Sequence, residues 1–232
     1  MSIFDKFDAN LEQAKDSVGG YQPLESGAYD ARIKTIYITM SKSGAMAANV
    51  VMDIDGREYR EQIWISNSKG ENFYMKDGHK IPLPGFTALN DICLCTVGKK
   101  LCELDTETRV FNVYDWEAKS ELPKEVPTIV DLLDAEVTVG IIHQTVDKNV
   151  KDASGNYVPS GETRDENVID KVFNSETHMT VNEAKEGKTE ATFYNNWLKK
   201  NQGVIRNRAK GKKGTSKAVT SPAKPSASPL FG

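Results

Sequence analysis

The 232-residue chain predicts a mainly β protein: a small antiparallel barrel with an inserted β-hairpin, a few helices and a disordered basic C-terminal tail. Three observations carry that prediction. Apolar/polar alternation recurs in runs joined by Asp-Gly pairs, the signature of two-residue hairpins. Helical spacing interrupts the strands instead of alternating with them, which disfavours a doubly wound parallel sheet. Charge also divides sharply: nine of the 30 Lys and Arg residues lie in 199–232, a stretch with none of the 33 Asp and Glu. The preceding 198 residues therefore hold 21 basic against 33 acidic side chains, a net charge of −12.

The elements follow in order. Ile3, Phe4, Phe7, Leu11, Ala14 and Val18 fit helical spacing and stop at Gly19-Gly20, so residues 1–20 read as a helical lead. Alternation from Gly27 to Thr39 predicts a long strand, closed by the polar turn Ser41-Lys42-Ser43-Gly44. Strands over 46–54 and 57–66 meet at Asp55-Gly56, and a ribbon joins Phe73-Tyr74-Met75 to Lys80-Ile81 through Asp77-Gly78. Pro82 and Pro84 end it, and Phe86, Leu89, Ile92 and Cys93 mark a largely apolar helix that stops at Gly98. Strand character returns over 108–117, 136–146 and 168–173, with a short apolar segment after Pro127 and a surface turn at Ser154-Gly155-Asn156. Residues 181–186 and 190–201 read as helices, the second docking Phe193, Trp197 and Leu198 on the sheet. A Greek-key barrel of the OB type, residues 21–203, fits this order best. The Lys/Ser/Ala/Pro-rich tail, 204–232, has little to bury before its apolar tip Pro229-Leu230-Phe231-Gly232.

Several function classes find no support. The N-terminus lacks the basic and apolar regions of a signal peptide, and no run reaches the roughly 18–20 apolar residues of a membrane span, so a cytoplasmic protein without membrane attachment is expected. Cys93, Cys95 and Cys102 form an odd set far in sequence from His79, His143 and His178, which favours buried structural thiols over a disulfide framework or a zinc site. Gly187-Lys188-Thr189 ends like a phosphate-binding loop, yet Asn182 replaces the first required glycine. Asp53-Ile54-Asp55-Gly56 lacks the rest of a calcium loop. No nucleophile elbow, zinc-protease helix or dinucleotide fingerprint occurs, so neither catalysis nor a cofactor is expected.

The positive signal lies between Arg32 and Lys80, where cations are interleaved with aromatic residues. Single-stranded nucleic acid calls for this mixture, because bases stack on aromatic faces while cations follow phosphates. The candidate DNA-binding residues are Lys34, Tyr37, Lys42, Arg57, Tyr59, Arg60, Trp64, Lys69, Phe73, Tyr74, Lys76 and Lys80. Alternation along 57–65 sets Tyr59 on one strand face and Arg60 with Trp64 on the other, so one groove uses both only where the strand bends. A strand aromatic is also a common core residue. A local basic groove is compatible with an acidic body, because screening limits repulsion beyond roughly 8–10 Å.

Six segments together resemble the phage-encoded OB-fold single-stranded DNA-binding proteins. They are Ser26-Gly27-Ala28-Tyr29-Asp30, Ser41-Lys42-Ser43-Gly44-Ala45, the strands across Asp55-Gly56, the helix from Phe86, Val139-Gly140-Ile141-Ile142, and Phe193 to Trp197. The resemblance covers about residues 20–203 and includes the Enterobacter phage type. It implies sequence-independent coating of single-stranded DNA in phage replication, recombination or repair, in the cytoplasm of an infected bacterial host. Replication or recombination proteins would be the partners of the tail. The tail departs from the bacterial pattern, since Lys and Ser stand where an acidic run precedes the apolar tip. The alternative is a β-rich phage structural or protein-interaction factor that does not bind nucleic acid. A nuclease would need a carboxylate metal cluster that the spacing does not assemble.

Overall fold

The computed structural model describes residues 22–115 and 118–211. The helix expected over 3–18, Trp116 and the tail tip lie outside the described residues. The chain is mainly β, as predicted, and its first meander comprises β1 (Gly27–Met40), β2 (Met46–Ile54) and β3 (Arg57–Trp64). Asp55 and Gly56 both take positive φ, 52° and 77°, which the tight β2–β3 turn requires and which Asp and Gly tolerate. The ribbon β4 (Phe73–Lys76) and β5 (His79–Pro82) uses Asp77 and Gly78 in the same way.

Helix α1 (Pro84–Thr96) begins with Pro at its first position, where the missing N–H costs no helical bond. It buries Leu89, Ile92, Cys93 and Cys95 beneath the sheet. Gly85 permits that approach: a Cβ there would sit 2.2 Å from the Trp64 carbonyl oxygen. Next come β6 (Thr106–Asp115), β7 (Ser120–Ile129), β8 (Glu136–Lys151) and β9 (Tyr157–Phe173). The chain closes with α2 (Val181–Lys185), α3 (Thr192–Asn201) and β10 (Arg206–Asn207).

Strand β1 is the spine. Its first half pairs with β8 from Gly27↔Ile141 to Arg32↔Glu136, and its second half pairs with β2 and meets β7 at Tyr37↔Thr128. A register shift between Ile33 and Thr35 marks the changeover, where Ile33 exchanges backbone hydrogen bonds with Ala135 and Asp134. The core beneath this spine contains Ile33, Ile36, Met52, Ile54, Leu89, Ile92, Leu132 and Val139. A second cluster joins Ile142, Phe173 and Trp197, docking α3 as expected, although Phe193 stays partly exposed.

Three differences from the sequence reading have physical reasons. Strand β7 was not foreseen because Pro123 and Pro127 interrupt its pattern; both face β6 residues, in a strand whose ladder with β1 has the single pair Tyr37↔Thr128 among the described residues. The β8–β9 hairpin is much longer than expected, since its polar outer half, Asp147 to Thr163, has no core to bury and so shows no alternation. The supposed tail is anchored as far as Gly211. Ser26 Oγ donates to the Val204 carbonyl, β10 runs parallel to β8, and Arg208 N–H donates to the Thr145 carbonyl.

The sheet also does not close into a barrel through backbone pairing. β3 pairs with β2 and β9 pairs with β8, and no ladder joins β3 to β9 among the described residues. Helix α1 packs against both strands at this gap.

Candidate nucleic-acid interface

The open seam between β3 and β9 is a groove of about 940 Å³. The alternation of β3 shapes its rim. Tyr59, Glu61 and Ile63 point toward the core, whereas Arg60, Gln62 and Trp64 point outward. Trp64 is 47% exposed, opposite the small residue Ala47. Tyr74, 45% exposed, reaches the same groove from the β4–β5 ribbon. Two half-exposed aromatic residues from separate elements thus line one groove, with Pro82 and Pro84 between the ribbon and the helix.

Basic groups come from the far wall. Lys171 projects from β9, and Arg206 and Arg208 come from the segment that pairs with β8. Arg206 donates to Asp170 at 3.0 Å, and the Trp197 indole donates to the other oxygen of that carboxylate at 2.8 Å. Burial pushes the Asp170 carboxyl up, but these hydrogen bonds and the nearby Arg206 and Lys171 charges outweigh it, holding the group below its ordinary range. Arg208 makes no ion pair among the described residues.

Two acids line the groove with raised pKa values. Glu61 is pushed up by burial, against hydrogen bonds from the Tyr59 hydroxyl and the Ile169 amide. Asp91 is also pushed up by burial, with Lys171 and Lys185 pulling it back. Among the described residues no three His, Cys, Asp or Glu side chains stand together as a metal site.

The predicted site residues separate into groups. Trp64 and Tyr74 meet in the groove. Phe73 packs beneath the Lys80 ammonium, 4.4 Å from the ring centroid, and Lys76 lies on the same ribbon. Tyr59 is only 6% exposed and donates its hydroxyl to Glu61 at 2.6 Å, so its ring is a core element and offers no stacking face. Tyr37 is covered by Phe111, stacked 5.6 Å away. Lys34 pairs with Asp53 at 3.2 Å, and Arg60 pairs with Glu58 and Glu121. Arg57 donates to the Gln22 carbonyl and does not line the groove. Lys42 lies in the β1–β2 turn and Lys69 in the loop before the ribbon.

Sequence reasoning missed Lys171, Arg206 and Arg208. Lys171 stands in the predicted strand 168–173, but nothing local says which side of that strand faces β3. The two arginines fell within a basic stretch read as tail. Cys93 and Cys95 are buried as expected, and burial pushes both thiols up to about 12, whereas Cys102 is exposed. No described helix is long and apolar enough to cross a membrane. No protein-family model matches the chain, and no curated protein matches it.

Proposed function

We propose that this protein binds single-stranded DNA without sequence preference, holding it along the β3–β9 groove. The observation that carries this reading is the meeting of Trp64 and Tyr74 with Lys171, Arg206 and Arg208 in one open groove. Aromatic faces accept any base, and cations spaced along a groove follow the phosphates of a flexible strand. A duplex buries its base faces by stacking, so these aromatic residues favour the single strand. The role is coating and protection of single-stranded DNA during phage replication, recombination or repair. The basic tail would then recruit replication or recombination proteins or add phosphate contacts.

Titration with oligo-dT, followed by tryptophan fluorescence and by anisotropy of a labelled strand, tests the reading. Binding is expected to weaken with salt, with a log–log slope of about −2 if Lys171, Arg206 and Arg208 each neutralise one phosphate. No quenching and no anisotropy change at micromolar protein and low salt would reject it in favour of a β-rich structural factor.

A further inference from the structure

The β6–β7 hairpin leaves one strand edge open. Phe111 stacks on Tyr37, so the hairpin is held against β1, yet β6 pairs only with β7. Its other edge has no ladder partner over Thr106–Asp115 among the described residues. Soluble proteins usually blunt such an edge with proline, lysine or a bulge, because its unpaired N–H and C=O groups are a template for another strand. β7 has these devices in Pro123, Lys124 and Pro127, whereas β6 has no Pro, Gly or Lys, pairs without a register shift, and holds its charged Glu107, Arg109 and Asp115 in ion pairs. β6 also exposes two large apolar side chains, Val110 at 62% and Tyr114 at 46%.

We propose that the free edge of β6 pairs antiparallel with the same edge of a second copy, about a two-fold axis at Asn112. The sequence of β6 is complementary to itself in that register. Val110 lies opposite the partner's Tyr114, and Phe111 opposite the partner's Val113. Arg109 lies opposite the partner's Asp115, next to the existing Arg109–Glu107 and Asp115–Lys124 ion pairs. Opposite charges and apolar pairs directly across a ladder are stabilising, and like charges are not. Moving the axis one residue, to Phe111, would set Glu107 against the partner's Asp115 and lose the Val110–Tyr114 match. An isologous pairing of this kind closes on itself as a dimer and leaves no further copy of the edge exposed. This pairing is independent of nucleic-acid binding.

Sedimentation velocity of the full chain without DNA, across a micromolar concentration series, is expected to show a reversible dimer. Val110→Lys should raise the dimer dissociation constant by about tenfold or more, since one lysine on an edge strand opposes pairing. Val110 is solvent-exposed, so far-UV circular dichroism should be unchanged. Asn112→Cys on a Cys102→Ser background should form a disulfide-linked dimer under mild oxidation. Residues facing each other on antiparallel strands have Cα atoms about 4.5–5.5 Å apart, within disulfide reach. A monomer at every concentration overturns the proposal, as does a dimer that Val110→Lys leaves intact. Cross-linking at position 112 no faster than through Ser154→Cys at the far hairpin tip also overturns it.

Discussion

Glu61 on β3 and Ile169 on β9 are joined by one hydrogen bond across a seam that no backbone ladder spans. The Ile169 amide donates to Glu61 Oε2 at 2.8 Å, and the Tyr59 hydroxyl donates to the same oxygen at 2.6 Å. A side-chain carboxylate thus substitutes for strand pairing at the floor of the groove. Glu61→Leu leaves two donors unsatisfied and should destabilise the protein by about 1–3 kcal/mol for each donor that stays buried. Glu61→Gln keeps an acceptor and should cost less. Because burial raises the Glu61 pKa, the folded state takes up its proton at higher pH than the unfolded chain. This group's contribution to stability therefore rises as pH falls through its raised value toward the ordinary 4.5, and is lost as pH climbs back. Urea unfolding of the two proteins at several pH values should show that Glu61→Gln removes this component.

Trp64→Ala and Tyr74→Ala should each weaken oligo-dT binding by about 1–3 kcal/mol if each ring carries one base. Both side chains are half exposed, so the melting temperature should change little. Tyr37→Ala should do the opposite. Loss of the Phe111 stack costs about 0.5–1.5 kcal/mol of stability beyond burial, with affinity nearly unchanged. Anisotropy and thermal melts on the three variants separate these outcomes.

The Asp170 carboxylate, held low by Trp197 and Arg206, should make stability acid-sensitive. Its contribution is present above the ordinary value of 3.8 and is lost as pH falls through its lower folded value. Asp170→Asn should flatten that acid limb while weakening the anchor between α3 and the Arg206 segment. Fluorescence-monitored acid unfolding reads this, because the Trp197 indole donates to the same carboxylate.

Truncation should distinguish an anchored segment from a dispensable one. Ending the chain after Gly211 should leave the melting temperature unchanged, since every described contact of the C-terminal segment is kept. Ending it after Gly203 removes the Ser26–Val204 bond, the β10–β8 pairing and both groove arginines. That shorter chain should melt lower and lose salt-dependent DNA binding. Equal behaviour of the two truncations would show that residues 204–211 serve neither purpose.

Legibility in the sequence followed the range of the forces involved. The Asp-Gly turns, the first three strands and the helix that stops before Gly98 are specified by neighbours a few residues apart, and the sequence places each within about two residues of its observed bounds. The β3 alternation set Trp64 on the face opposite Tyr59, and only the burial of Tyr59 and Ile63 in the folded protein makes its face the outer one. Strand β7 and the outer β8–β9 hairpin were not readable, because proline interrupts one and the other has no buried face to impose alternation, so the order of both comes from their partners.

The sequence by itself determined a mainly β chain, the turns that connect its first strands, and the charge division between body and tail. Those are local properties of backbone preference and composition. Only the tertiary structure decided that Tyr59 belongs to the core while Trp64 and Tyr74 share a groove. It also decided that the sheet stays open between β3 and β9, and that Arg206 and Arg208 leave the tail to line that opening. Each of these outcomes rests on contacts between residues distant in the chain, such as Ile169 with Glu61 and Val204 with Ser26, made only when the strands register against β1 and α1 packs beneath the seam.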